Sequence, residues 1–215
     1  MDMLVNSFPM VLRGLSVTLL LGVVSFVLGS VLGALVALAR ISDFQILRGA
    51  AIAFVSVFRG TPLLIQIMII YFGLPQLGVQ LTPIPSAILA LSLFGAAYLS
   101  ENFRGGILGV DNGQWEAASS IGMPYWRTFR RIVFPQAIRV ATPAVGGRFI
   151  ALMKDTSLAS VVTVVELTRV AESIGNANFR YMEAFLMIGA IYWIINSLLS
   201  VGQGILEKRM GKAYV

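Results

Sequence analysis

Charged residues are spaced along this chain in a way that soluble domains do not show. Residues 14–39 form a run of 26 positions without a charge, 60–100 a run of 41, and 184–206 a run of 23. A helix needs about 20 apolar residues to cross a hydrocarbon core ~30 Å thick, so each run can hold a span. The longest run is interrupted by Gly73, Pro75, Gly78, Pro83 and Pro85, which divides it between two spans. The pattern predicts five spans, at about 15–39, 50–72, 85–103, 140–161 and 184–206. The second carries a break at Arg59-Gly60-Thr61-Pro62. The expected fold is an all-α polytopic membrane protein, one transmembrane domain over residues 1–215.

Composition sharpens the exclusion. The chain has 215 residues, 57% hydrophobic and only 12% charged, where a soluble domain carries about a quarter charged. A mean hydropathy of +0.84 agrees. An ordinary cytosolic enzyme and a disordered chain are both excluded. Cysteine and histidine are absent, which removes disulfides, thiolate nucleophiles, the commonest general base and the usual metal ligands. The start does not read as a signal peptide. Only Asp2 is charged before Arg13, and the apolar stretch 14–39 is too long for such a segment. The first span is expected to stay in the mature protein.

The net charge is +6 and the pI about 10.1. In a soluble protein that would suggest nucleic acid. Here basic loops held on the cytoplasmic side explain it, and no nucleic-acid partner is expected. The first loop holds Arg40 and Arg48; the third holds Arg127, Arg130, Arg131 and Arg139; the tail holds Lys208, Arg209 and Lys212. The second loop, 73–82, has no charge. This alternation places the N-terminus outside and the C-terminus in the cytoplasm. The loop before the last span mixes Arg169 and Arg180 with Glu166, Glu172 and Glu183. It is expected to be external, with a short helix at 164–173. No internal repeat is visible, which counts against inverted-repeat carriers.

The segment 111–135 is too polar to span and too regular to be a tether. Asn112 can cap a helix over 114–121, Gly122 can take the left-handed position that ends it, and Pro124 suits the first turn of a second helix over 125–134. Ala117 and Ala118 leave a smooth surface, while Trp115, Met123, Tyr125 and Trp126 offer apolar anchors of the kind found at interface centres. Two readings stay open on pattern alone. The hairpin either docks a protein partner or lies on the inner leaflet, held by its arginines against anionic lipid.

Glu116-Ala117-Ala118, three residues, Gly122, nine residues, Ile132 and then Pro135 resemble the EAA loop of ABC-importer permease subunits. Phe58-Arg59-Gly60-Thr61-Pro62-Leu63-Leu64, Glu101-Asn102-Phe103-Arg104-Gly105-Gly106-Ile107, Gly113-Gln114-Trp115-Glu116 and Lys154-Asp155-Thr156-Ser157-Leu158 are similar to segments of its polar-amino-acid branch. Phe134-Pro135 departs from the commoner Leu-Pro. The resemblance implies a type I importer fold in a bacterial-type cell (inner or plasma) membrane. It implies a second permease chain, expected to be identical, two ABC ATPase subunits and an extracytoplasmic amino-acid-binding protein. Glu116, Ala117, Ala118 and Gly122 would form the contact with the ATPase. The chain carries no GxxxxGK[ST] loop, so no cofactor is expected in it; ATP and Mg would be bound by the partner ATPase.

Ionisable groups at membrane depth are costly and by default functional. Three clusters qualify: Tyr98, Ser100, Glu101, Asn102 and Arg104; Lys154 and Asp155 with Thr156 and Ser157; and Arg59 with Gln66. Each has a plainer alternative. Glu101 can pair with Arg104, Asp155 can cap a helix opening at Thr156, and Arg59 can snorkel to headgroups. Lys154 and Asp155 are adjacent and must point about 100° apart.

The function expected is an ATP-driven importer's permease subunit, itself no enzyme, forming the pathway for polar amino acids. Glu101 and Asp155, unpaired in a low-dielectric pathway, would favour arginine, lysine or histidine over glutamate. Lys154, Asn102, Tyr98, Thr156 or Ser157 would hold the substrate carboxylate. Neutralisation of Glu101 by Arg104 would instead suit a neutral amino acid such as glutamine. The alternative is an ion-coupled secondary carrier or channel, its basic loop on membrane lipid. An intramembrane enzyme would have little chemistry available.

Overall fold

The computed structural model describes the backbone of residues 2–211 and the side chains of 7–210. Lys212 of the predicted basic tail lies outside them, as does the side chain of Asp2. Every regular element among the described residues is helical. The order is α1 (Asp2–Ile41), α2 (Gln45–Gly60), α3 (Leu63–Met68), α4 (Pro83–Leu108), α5 (Asn112–Ser120), α6 (Tyr125–Thr128), α7 (Phe134–Asp155), α8 (Leu167–Asn178) and α9 (Tyr181–Gly211).

Helices α1, α4 and α9 are long and apolar enough to cross a membrane. The helix pair Gln45–Gly60 and Leu63–Leu77 also passes, bent by 105° at the break. The break was legible in the sequence. Proline disfavours helical backbone in the residue before it, and Thr61 is extended at φ −118°, ψ 146°. Gln66, grouped above with the candidate functional residues, repairs this bend. Its Nε2 donates to the Phe58 carbonyl at 2.9 Å and the Thr61 carbonyl at 3.1 Å. Backbone groups freed at membrane depth need such a partner.

The fourth expected span is less apolar than the others. Helix α7 has 22 residues, about 33 Å of rise, but carries Arg139, Arg148, Lys154 and Asp155. It does not begin at 140. Residues 125–155 are helical throughout, with a wider π turn over Phe129–Val133 immediately before Pro135. Pro135 has no N–H to donate, and a wider turn at that point absorbs its ring. The second loop helix therefore runs directly into α7, the helix expected as the fourth span. Beyond Asp155 the chain tightens into a 3₁₀ turn over Thr156–Val162.

Packing is organised around α4. Helix α1 lies along it, and Gly33 sets the approach: a Cβ there would stand 3.0 Å from the Ala96 carbonyl oxygen and 3.0 Å from the Leu99 Cβ. Gly29 makes the same approach one turn earlier, so the small-residue stretch is a helix contact. The main core joins Leu21, Ile67, Leu91, Leu152, Val162 and Val164. A second core joins Val11, Leu167, Val170, Ile174 and Ile188, binding α8 against α1 and α9.

The helix predicted at 164–173 lies instead at Leu167–Asn178. Glu166 sets its start. Its carboxylate accepts the Thr168 and Arg169 amides at 2.8 and 2.9 Å and the Tyr192 hydroxyl at 2.8 Å. Glu166 is fully buried. Burial pushes its carboxyl pKa up, while the two amide bonds and the Tyr192 hydroxyl oppose that shift.

Candidate functional site

Four helices bring charges together. On α4, Glu101 accepts from Arg104 at 2.8 and 3.1 Å. It also pairs with Arg40 from the end of α1, and Arg59 of α2 stands 4.0 Å away. One turn back on α4, the Tyr98 ring is covered by two guanidiniums. Arg59 is 5.1 Å from its centroid and Arg148 of α7 is 4.7 Å. Arg148 also lies 4.8 Å from the Phe94 ring and donates to Asp155 at 2.7 Å. Phe94 and Tyr98 are themselves 4.9 Å apart. The result is a continuous strip from Arg40 through Glu101, Arg59, Tyr98 and Arg148 to Asp155, with four arginines and two carboxylates when Arg104 is included.

This corrects the premise of two unpaired carboxylates. Glu101 meets three arginines and Asp155 meets one. The net charge of the strip is positive. The reading of Asp155 as a helix cap also fails, because its side chain makes no capping bond and its backbone stays helical. Lys154 and Asp155 do diverge: Asp155 is paired, and Lys154 is exposed with no carboxylate partner among the described residues. Asn102 donates to the Ala144 carbonyl at 3.0 Å, tying α4 to α7. Thr156 is buried and donates to the Met153 carbonyl at 2.8 Å; Ser157 donates to the Lys154 carbonyl at 2.8 Å. Tyr98, Glu101 and Asp155 thus converge, whereas the other four candidates bond to backbone or point outward.

Arg148 and Arg40 were missed. Arg148 precedes Asp155 by seven residues, two turns on one face of the same helix. The rule that singled out Lys154 and Asp155 applied to it equally. Its Nε is buried without a hydrogen-bond partner among the described residues.

The loop forms a separate site. Asp111, not Asn112, caps α5, accepting the Gly113 amide at 2.6 Å. Met123 donates to the Ala118 carbonyl at 3.0 Å and Gly122 to that of Ser119 at 2.9 Å, the paired bonds of a Schellman ending. Gly122 sits at φ +75°, in the left-handed region expected of it. Ala118 is buried and Trp115 stacks on Tyr125 at 5.1 Å. Ala118 is therefore not part of the free surface, and Trp115 is only partly so. Val110, Phe129, Val133 and Ala137 anchor the hairpin on α4 and α7. Glu116, Ala117, Ile121, Tyr125 and Trp126 face outward.

The chain thus combines a bent apolar helix pair, an arginine-rich strip across four helices and a capped hairpin with an outward-facing side. Residues 26–212 match the family model for the binding-protein-dependent transport system inner membrane component, and the chain belongs to that family. It is 43% identical to the L-cystine transport system permease protein TcyB of Bacillus subtilis (strain 168), covering 98% of this chain and 91% of that one. It is 39% identical to the arginine transport system permease protein ArtQ of the same organism, covering 95% and 94%. The structure also matches the crystal structure of an amino acid ABC transporter with histidines, at a TM-score of 0.92, 35% identity and 96% coverage of both chains. The chain is an amino-acid ABC importer permease subunit, a class that does not itself catalyse a reaction.

Proposed function

We propose that two copies of this chain form a pathway through the cell membrane for polar amino acids. Two ABC ATPase subunits bind ATP and Mg beneath them, and an extracytoplasmic binding protein delivers the substrate. The N-terminus lies outside and the C-terminus in the cytoplasm, with five spans between. The observation that carries the reading is the hairpin of α5 and α6. Glu116 and Ala117 project from a helix whose ending is set by Gly122, and among the described residues no element covers them. Glu116, Ala117, Ala118 and Gly122 make the ATPase contact, Ala118 from beneath as packing support. Masses of the subunits in the purified complex test this composition. A complex lacking an ATPase, or holding one permease copy, contradicts it.

In the pathway, Arg59 and Arg148 take the substrate carboxylate over the Tyr98 ring. The preferred substrate is basic. Asp155 has a single arginine partner and a partly exposed carboxylate, so a substrate guanidinium or ammonium can replace Arg148 there while Arg148 turns to the substrate carboxylate. The names of the arginine permease and of the histidine-bound transporter support that reading. The pairing of both carboxylates favours a second reading, a neutral substrate, in line with the relative named for L-cystine. Uptake of labelled arginine and glutamine by Asp155→Asn separates the two. The first predicts a selective loss of arginine uptake; an equal effect on both overturns it.

A further inference from the structure

Between α1 and α9, with α7 as its floor, runs a groove of about 910 Å³. Phe26, Leu38, Ile138, Phe149, Leu198 and Leu206 are typical of its walls. It opens sideways, as Leu198 is 69% exposed and Ile138 45%. Its polar side chains are already engaged. Gln203 donates to the Pro143 carbonyl at 3.0 Å and to Glu207 at 2.7 Å, and Thr142 donates to the Ile138 carbonyl at 2.7 Å. The exception is Arg130, at the end nearest the loop. Arg127, Arg130 and Arg131 are exposed and pair with no carboxylate among the described residues. Their i, i+3, i+4 spacing makes them neighbours on the helix surface. Trp126 stands beside them at the mouth, 64% exposed.

We propose that this groove binds one anionic phospholipid from the leaflet on the loop side. An acyl chain lies along α7, and Arg130, flanked by Arg127 and Arg131, holds the phosphate. The dimensions fit. The lining on α7 runs from Phe134 to Ile150, about 24 Å of helix, which exceeds one leaflet's half of a ~30 Å core. The chemistry fits as well, because the groove calls for a long apolar chain ending in an anion. Charge complementarity favours the lipid over a helix of a second copy, because the groove's loop end carries Arg130 with Arg127 and Arg131 beside it. The lipid would brace the foot of α7, and through it the hairpin, so that the leaflet's anionic content bears on the loop.

The test uses the permease–ATPase complex in nanodiscs holding equal phosphatidylglycerol and phosphatidylcholine, with retained lipid read by native mass spectrometry. Wild type should retain phosphatidylglycerol preferentially. Arg130→Gln should lower that retention about fivefold, the effect of one arginine near an anionic surface. Ile138→Trp, which fills the groove, should abolish retention of either lipid. Leu198→Trp blocks the opposite wall and serves if the first variant does not assemble. Equal retention of the two lipids in wild type overturns the proposal, as does undiminished phosphatidylglycerol in both blocked variants. The chain has no cysteine of its own, so Ile138→Cys reports on the other occupant. A disulfide between two copies through that residue would assign the groove to a second chain and overturn the lipid site.

Discussion

The loop hairpin and the arginine strip both carry charge, but they handle it oppositely. In the hairpin, Glu116, Arg127, Arg130 and Arg131 are exposed and find no ion-pair partner within the chain among the described residues. In the strip, both carboxylates are engaged, and Tyr98 is covered by two guanidiniums. Water explains the difference. An exposed charge, Lys154 included, is solvated and can wait for a partner at little cost, whereas a carboxylate taken out of water needs a partner from the start. On the proposed reading, a substrate in the strip would exchange partners, whereas the hairpin would add them, an ATPase at Glu116 and a lipid phosphate at Arg130.

The largest effect should follow from breaking a pair in the strip. Arg148→Ala leaves Asp155 uncompensated at membrane depth, a loss of about 3–5 kcal/mol for a buried pair and the lower part of that range here, since Asp155 is 28% exposed. The melting temperature of the solubilised complex should fall markedly, and Arg148→Leu with Asp155→Leu should recover most of it. If the double variant is no more stable than the single, the pair is not what holds the two groups.

Strain in the hairpin should cost less stability but more function. Gly122→Val forces a β-branched residue to positive φ, about 1–2 kcal/mol of local strain. Substrate-stimulated ATP hydrolysis should fall while membrane insertion persists. Unchanged stimulation would remove the turn from the coupling contact.

Glu166 contrasts with both regions, being a buried carboxylate held by amides and a hydroxyl, with no ion-pair partner among the described residues. Glu166→Ala removes the cap of α8, worth about 0.5–2 kcal/mol, and leaves the Tyr192 hydroxyl without its acceptor. Its pH effect is the smallest. The folded-state pKa is raised by burial, so the folded chain holds this proton more tightly than the unfolded one. Its stabilisation is complete below the ordinary carboxyl value and is lost as pH rises through the raised one. Thermal stability measured across that window should decline in wild type more than in Glu166→Gln.

Legibility followed the range of the interactions. The helix stop at Gly122 and the bend at Thr61-Pro62 are local, set by a residue's own backbone limits, and the sequence showed both. The apolar runs located α1, α4, α9 and the bent pair because a bilayer imposes length directly, whereas α7, with its four charges, does not stand out as apolar. The pairing of Arg40 with Glu101 joins residues 61 positions apart and depends on how α1 lies along α4, which no local pattern encodes. Gln66 looked functional because a polar residue in a span is costly; the structure shows that cost offset by a broken backbone. Asp155 looked free because its partner lay two turns upstream, outside the short motif that drew attention to it.

Transport is proposed to be coupled to ATP held by a partner ATPase. Proteoliposomes carrying the permease with its ATPase and binding protein, loaded with ATP on the loop side, test it most directly. Labelled amino acid should enter only with ATP present, and Gly122→Val should uncouple entry from hydrolysis. Uptake that proceeds without nucleotide and follows an imposed ion gradient would contradict the account and identify a secondary carrier.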